Sequence, residues 1–129
     1  MATRARIGMK LKGTDSIVSV YHHWDGYPEW LGKKLLNKFY TTDAVRSLID
    51  GGDISCVESY RDWDGNELPE PIVLTYADRG EKSVEPVLSD NLDEFLKVAD
   101  ESTANYAYVF DDGFWTCYDV YTQTLVNFG

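Results

Sequence analysis

The stretch Tyr106-Ala107-Tyr108-Val109-Phe110-Asp111-Asp112-Gly113-Phe114-Trp115-Thr116-Cys117-Tyr118-Asp119-Val120-Tyr121 sets two aromatic, alternating runs on either side of Asp111-Asp112-Gly113. Alternation with a period of two marks a strand, and Asp-Gly between two such runs supplies the backbone freedom that a tight hairpin turn requires. Residues 106–110 and 114–121 are therefore expected to pair antiparallel.

The same logic extends to the start of the chain. Residues 4–12 and 17–22 read as strands joined by a turn at Gly13-Thr14-Asp15. In the second of them Ile17, Ser19 and Tyr21 alternate with Val18, Val20 and His22. It is apolar on much of both faces and belongs inside a sheet. Ile72-Val73-Leu74-Thr75-Tyr76 is β-branched and aromatic and adds a further strand, and residues 54–57 suit a short one.

Between these runs the period changes. Pro28 suits a first helical position, and Leu31, Leu35 and Phe39, with Leu36 and Tyr40, follow at i, i+4 spacing. Gly32 interrupts this helix at a cost of about 1 kcal/mol relative to alanine. A short helix is expected over residues 43–50, with Thr42 as N-cap and Gly51 just past its end. A third spans residues 92–101, where Asn91 and Glu94 have capping-box spacing. The expectation is one α+β domain over residues 1–129, with a mainly antiparallel sheet of about five or six strands and about three helices packed on one face.

Composition bounds the function. Of 129 residues, 43% are hydrophobic and 14% aromatic, enough for a folded core, while 22 acids against 12 bases leave a net charge of −10. Such a chain repels phosphate backbones, so direct nucleic-acid binding is not expected. Its field attracts a basic protein surface instead. Cys56 and Cys117 stand far apart with no secretory leader before them, and no apolar run is long enough to span a membrane. A cytoplasmic protein with reduced thiols is expected.

The densest chemistry lies in Tyr21-His22-His23-Trp24-Asp25-Gly26-Tyr27-Pro28-Glu29-Trp30, between a strand and a helix. His22 and His23 can donate or accept protons, while Trp24, Tyr27 and Trp30 offer rings for stacking, with Asp25 between them. A loop entering a helix N-terminus also exposes amides that favour an anion. Asp78-Arg79-Gly80-Glu81 follows a strand, so Arg79 and Glu81, with Arg6, join the candidate ligand-binding set. No metal or cofactor is expected. Adjacent histidines on a strand point to opposite faces, and Asp62-Trp63-Asp64-Gly65-Asn66 has its glycine too early for a calcium loop, at the fourth place where the sixth is required. No catalytic signature such as G-x-S-x-G, H-E-x-x-H or a P-loop occurs.

Arg4-Ala5-Arg6-Ile7-Gly8, the run from Ser19 to Pro28, Gly32 and Leu36, Asp78-Arg79-Gly80-Glu81, and Tyr108-Val109-Phe110-Asp111 with Trp115 together resemble a family of small, uncharacterised phage and prophage proteins. The resemblance covers nearly the whole chain and implies a viral accessory gene in the host cytoplasm, with no residue roles to transfer. The functional expectation is non-enzymatic binding of a nucleotide-like small molecule or of a basic host protein, to counter host defence or redirect host physiology, with a homodimer as the assembly. Two alternatives stand beside it. One is a small hydrolase or transferase using His22 or His23 as acid and base. The other is an acidic DNA mimic built on Asp50, Asp53, Glu58, Asp62, Asp64 and Glu67.

Overall fold

A computed structural model describes residues 3–58, 63–66, 72–78, 80 and 85–128. In chain order these form β1 (Ala5–Lys10), β2 (Ile17–His22), a turn of π-helical pitch (Pro28–Gly32) running into α1 (Lys33–Lys38), α2 (Thr42–Asp50), β3 (Ile54–Glu58), β4 (Ile72–Thr75), β5 (Val87–Ser89), α3 (Leu92–Glu101), β6 (Tyr106–Asp111), β7 (Phe114–Asp119) and β8 (Thr124–Val126). No helix among the described residues is long and apolar enough to cross a membrane.

The eight strands make one sheet in the order β4-β3-β2-β1-β6-β7-β8, with β5 alongside β2. Most neighbours are antiparallel, as expected, including the hairpin β6–β7, where Asp111 faces Phe114. Two pairings are parallel: β1 with β6, and the end of β2 with the start of β3. The strand count exceeds the expected five or six because β5 and β8 have three residues each. A run that short carries no readable period.

The helices do not share one face, which corrects the expected packing. Ala5, Ile7 and Met9 of β1 lie with Tyr108 and Phe110 of β6 in a core that takes Leu35 of α1 and Val45, Leu48 and Ile49 of α2. The alternate residues Ala107 and Val109 of β6, with Ile17 of β2, meet Phe95, Leu96 and Ala99 of α3 on the other side. Each helical stretch is a crossover: α1 and α2 carry the chain from β2 to β3, and α3 carries it from β5 to β6. Central strands buried on both faces read as nearly continuous apolar runs, as residues 5–9 and 107–110 do.

Local chemistry fixes the helix starts. The Thr41 hydroxyl accepts from the Ala44 amide at 3.1 Å, one residue earlier than the expected cap at Thr42. Asn91 Oδ1 accepts from the Glu94 amide at 2.9 Å and opens α3 as its capping spacing suggests. Where α3 crosses β1, only glycine fits. A Cβ on Gly8 would stand 2.6 Å from Ile17 Cγ2 and 3.1 Å from the Phe95 ring. Gly8→Ala is expected to cost about 1–3 kcal/mol by overpacking, read as a lower urea midpoint with an unchanged m-value; a midpoint equal to wild type would contradict this packing.

Candidate functional site

The segment from Tyr21 to Trp30 serves two purposes, and the structure separates them. His22 ends β2 opposite Ala5 and Ile54. It is fully buried, and neither ring nitrogen has a hydrogen-bond partner. Burial, helped by the neighbouring His23, depresses its pKa to about 3. His22 is therefore a neutral core side chain and leaves the expected ligand set; the acid-base role considered for it fails for want of access. Successive strand residues face opposite ways, and His22 takes the inward one.

His23 points the other way. Its Nδ1 lies 2.7 Å from the Tyr21 hydroxyl, and the Trp24 ring meets it edge-on with centroids 4.7 Å apart. The His23 and Trp24 amides donate to the carbonyls of Ile54 and Ser55 at 3.1 and 2.9 Å, continuing the parallel pairing with β3. Asp25 adopts a left-handed φ of 58° and is exposed. Gly26 then seals the loop: its amide donates to the Thr3 carbonyl at 2.8 Å and its carbonyl accepts from the buried Tyr108 hydroxyl at 2.8 Å. A Cβ there would lie 2.8 Å from that of Ala5. Tyr27 is half-buried, and its carbonyl accepts from the Trp30 and Leu31 amides, so those amides are not offered to an anion. Trp30 stays at the surface with the Lys34 ammonium 4.1 Å above its ring.

Arg6 is likewise built in. It faces the α3 side, 4% exposed, with Nε donating to Ser19 Oγ at 2.8 Å, Nη2 to the Ser19 carbonyl at 3.2 Å and Nη1 to Ser102 Oγ at 3.2 Å. Arg4 Nη1 donates to Thr103 Oγ1 beside it. Both cations thus sit at the C-terminal end of α3, where the helix dipole favours them. Burial lowers the Arg6 pKa, and the Asp53 charge works against that shift. Burial in turn raises the Asp53 carboxyl, opposed by the Tyr21 amide, which donates to Oδ1 at 3.0 Å, and by Arg6. Arg6 therefore ties β1 to β2 and α3 and is not available for the expected ligand role, and Asp53 turns inward, out of the acidic stripe considered for DNA mimicry. Arg79, Glu81, Asp62, Glu67 and the side chain of Glu58 lie outside the described residues.

The roomier site is at the opposite end of the sheet, roughly 17 Å along β1 at the usual rise per residue. A cavity of about 560 Å³ opens where the parallel pair β1 and β6 ends, between the Gly13-Thr14 turn, the start of α2 and the β6–β7 turn. Leu11 gives it apolar surface, with the buried Met9 and Phe110 forming its floor. Lys10, Lys12 and Arg46 bring three cations, and Asp15, Asp111 and Asp112 three acids. Thr42 opens α2 in the same lining, and Arg46 follows one turn later on the same helix face. First-turn amides of a helix have no intrahelical partner and favour an anion; the Thr41 cap takes that of Ala44, which leaves those of Thr42 and Asp43. The half-buried Lys10 ammonium stands 3.9 Å from the exposed Asp15 and 3.7 Å from the exposed Asp111, pairs of small energy that a ligand can displace.

Such a cavity can hold a small, partly apolar group against Leu11, a phosphate or carboxylate at Lys12, Arg46 and the α2 start, and hydroxyl groups at Asp111 and Asp112. Sequence reasoning missed these residues. Lys12 and Arg46 look like ordinary surface cations until β1 and β6 are known to run parallel and end together. Comparison of the chain with protein-family models, with curated proteins and with solved structures finds no match in any of the three. The site therefore rests on its own chemistry.

Because native His22 resists a proton that the unfolded chain accepts at its ordinary pKa, stability is complete above that pKa and is lost as pH falls toward 3. The His22 contribution is expected to drop by about 2 kcal/mol between pH 7.5 and pH 5. Urea denaturation of wild type and His22→Leu at both pH values reads it. Wild type should lose that much more than the variant, and parallel losses would mean that His22 is not held neutral.

Proposed function

We propose that this chain is a non-enzymatic binding protein of the phage accessory kind, whose ligand is a nucleotide-like small molecule held in the cavity at the ends of β1 and β6. The observation that carries the reading is the convergence, in one cavity of about 560 Å³, of apolar surface from Leu11 over the buried Met9 and Phe110, cations from Lys12 and Arg46, and the N-terminal end of α2. The volume falls within the range of small-ligand sites. A base matches the apolar surface, and a phosphate matches the guanidinium, the ammonium and the α2 amides that the Thr41 cap leaves. Carboxylates such as Asp111 and Asp112 are suited to ribose hydroxyls.

Binding without turnover suits the lining, which holds no histidine or cysteine. His22 is locked in the core, and His23 shares a short contact with the Tyr21 hydroxyl at the far end of the sheet. The acidic chain outside the cavity keeps polyphosphate polymers away, so recognition is confined to small anions that the local cations can hold.

Calorimetric titration with purine and pyrimidine nucleoside mono- and triphosphates tests the reading. At least one is expected to bind with a micromolar dissociation constant, and Lys12→Ala with Arg46→Ala should weaken it by about 10- to 100-fold through loss of charged hydrogen bonds. Trp24→Ala should leave binding unchanged, since Trp24 lies at the other end. Binding that survives the double substitution, or that fails in Trp24→Ala, would move the site away from the cavity, and absence of binding by every nucleotide would end the nucleotide assignment.

A further inference from the structure

A second surface lies on the α3 side of the sheet. The register sets Tyr118 beside Ala107, which packs under α3, then Leu125 beside Tyr118, and Phe114 beside Asp111. From residue 113 to residue 129 the sequence contains a single Asp, Glu, Lys or Arg, namely Asp119. Its register partner Tyr106 packs on the other face, with α1, so the α3 side of β7 and β8 carries no charge of its own. The helix leaves this side open, because α3 rests mainly on β2, β5 and β6. Phe114 is accordingly 76% and Leu125 68% exposed. Single exposed apolar residues are ordinary, whereas two that flank an uncharged sheet face mark a place of contact.

Next to this face the lining turns acidic. A cleft of about 340 Å³ lies between the start of α3 and the sheet, walled by the half-buried Leu92 and Tyr118 over the buried Ile17 and Val109. Its charged groups are Asp15, Asp93 and Asp111 against Lys10 alone. Lys10 is engaged by Asp15 and Asp111, and among the described residues no cation pairs with Asp93. The cleft therefore holds more negative charge than it neutralises. A side chain with an apolar stem and a cationic tip matches it: the stem of an arginine or lysine lies along Leu92 and Tyr118, and its head meets Asp93. The net charge of −10 argues in the same direction, repelling a second copy and drawing in a basic surface.

We propose that the α3 side of β7 and β8 is the docking surface for a basic protein, which lays apolar side chains on Phe114, Tyr118 and Leu125 and inserts an arginine or lysine into the cleft beside Asp93. An apolar centre next to a charged rim is the ordinary anatomy of a protein interface, and arginine is enriched at such contacts. This assignment does not rest on the nucleotide reading. Lys10, Asp15 and Asp111 line both recesses, but Asp93 and Tyr118 line the cleft alone, and Phe114 and Leu125 line neither.

Titration of the isotope-labelled full chain with a blocked peptide of alternating leucine and arginine, followed by amide chemical shifts, tests the proposal. Binding is expected with a dissociation constant of about 0.1 mM or below, with shifts clustered at residues 92–93, 114–118 and 124–126. Citrulline in place of arginine, or serine in place of leucine, should weaken it about 10-fold or more, since both the charge and the apolar contact are used. Asp93→Asn should weaken it about 3- to 10-fold, while Asp50→Asn, the same charge change on α2, should leave it nearly unaltered. Leu125→Asp separates docking from mere attraction, because it adds an acid and is still expected to weaken binding. All three side chains are exposed, so unchanged dispersion of the remaining amides verifies the fold. Absence of binding, shifts scattered over the acidic surface, tighter binding by Leu125→Asp, or equal losses in Asp93→Asn and Asp50→Asn would each overturn the assignment. So would arginine amide that binds the cleft as tightly as the peptide, which would give it to a small amine. A peptide-free dimer that buries the same residues would give the face to a second copy.

Discussion

Everything in this fold is arranged around β1 and the fact that it has no free side. Its residues from Ala5 to Met9 are buried, β2 and β6 occupy its two edges, and helices lie over both of its faces. A strand enclosed in this way tolerates little variation. Side chains on one face must fit α1 and α2, while the other face must bring α3 close enough that position 8 has room only for hydrogen. Arg6 is the exception among its apolar neighbours, and the structure surrounds it with Ser19, Ser102 and the Asp53 charge in place of water. Burying a guanidinium is tolerable only when its donors are met in this fashion.

The two ends of the sheet have different characters, and the difference decides where a ligand fits. At one end the chain is closed: Gly26 is fastened between Thr3 and Tyr108, and Phe128 returns to lie edge-on to the Tyr108 ring and against Gly32. The loop with the most conspicuous residues is thus largely a seam. At the other end the turns spread apart around a cavity where two parallel strands stop and α2 begins. Open ends of parallel strands next to helix N-termini are where sheet proteins with crossovers commonly receive small anions.

Much of the secondary structure was legible in the sequence. The runs that became β2, β6 and β7, and the Asn91 cap of α3, followed from alternation, a turn pair and a capping spacing, all local signals. Three-residue strands carry no such signal, so β5 and β8 were not foreseen. The division of helices between faces depends on which strands neighbour each other, a long-range property that periodicity does not report. The same limit applies to the site. Composition drew attention to His22, His23 and Trp24, yet strand geometry sent His22 into the core and the other two to the far side. Lys12, Arg46 and Asp111 come from three separated segments, and the parallel pairing of β1 with β6 together with the packing of α2 on β1 brings them to one place.

That pairing also shapes how the chain is made. Ala5 is translated roughly one hundred residues ahead of its partner Tyr106. At ordinary elongation rates the nascent chain therefore waits on the order of 5–20 s with one edge and one face of its central strand uncovered. Until β6 clears the ribosome, β1 and β2 lack one edge of their sheet. The enclosure that makes β1 so exacting in the finished protein makes the unfinished one dependent on its surroundings.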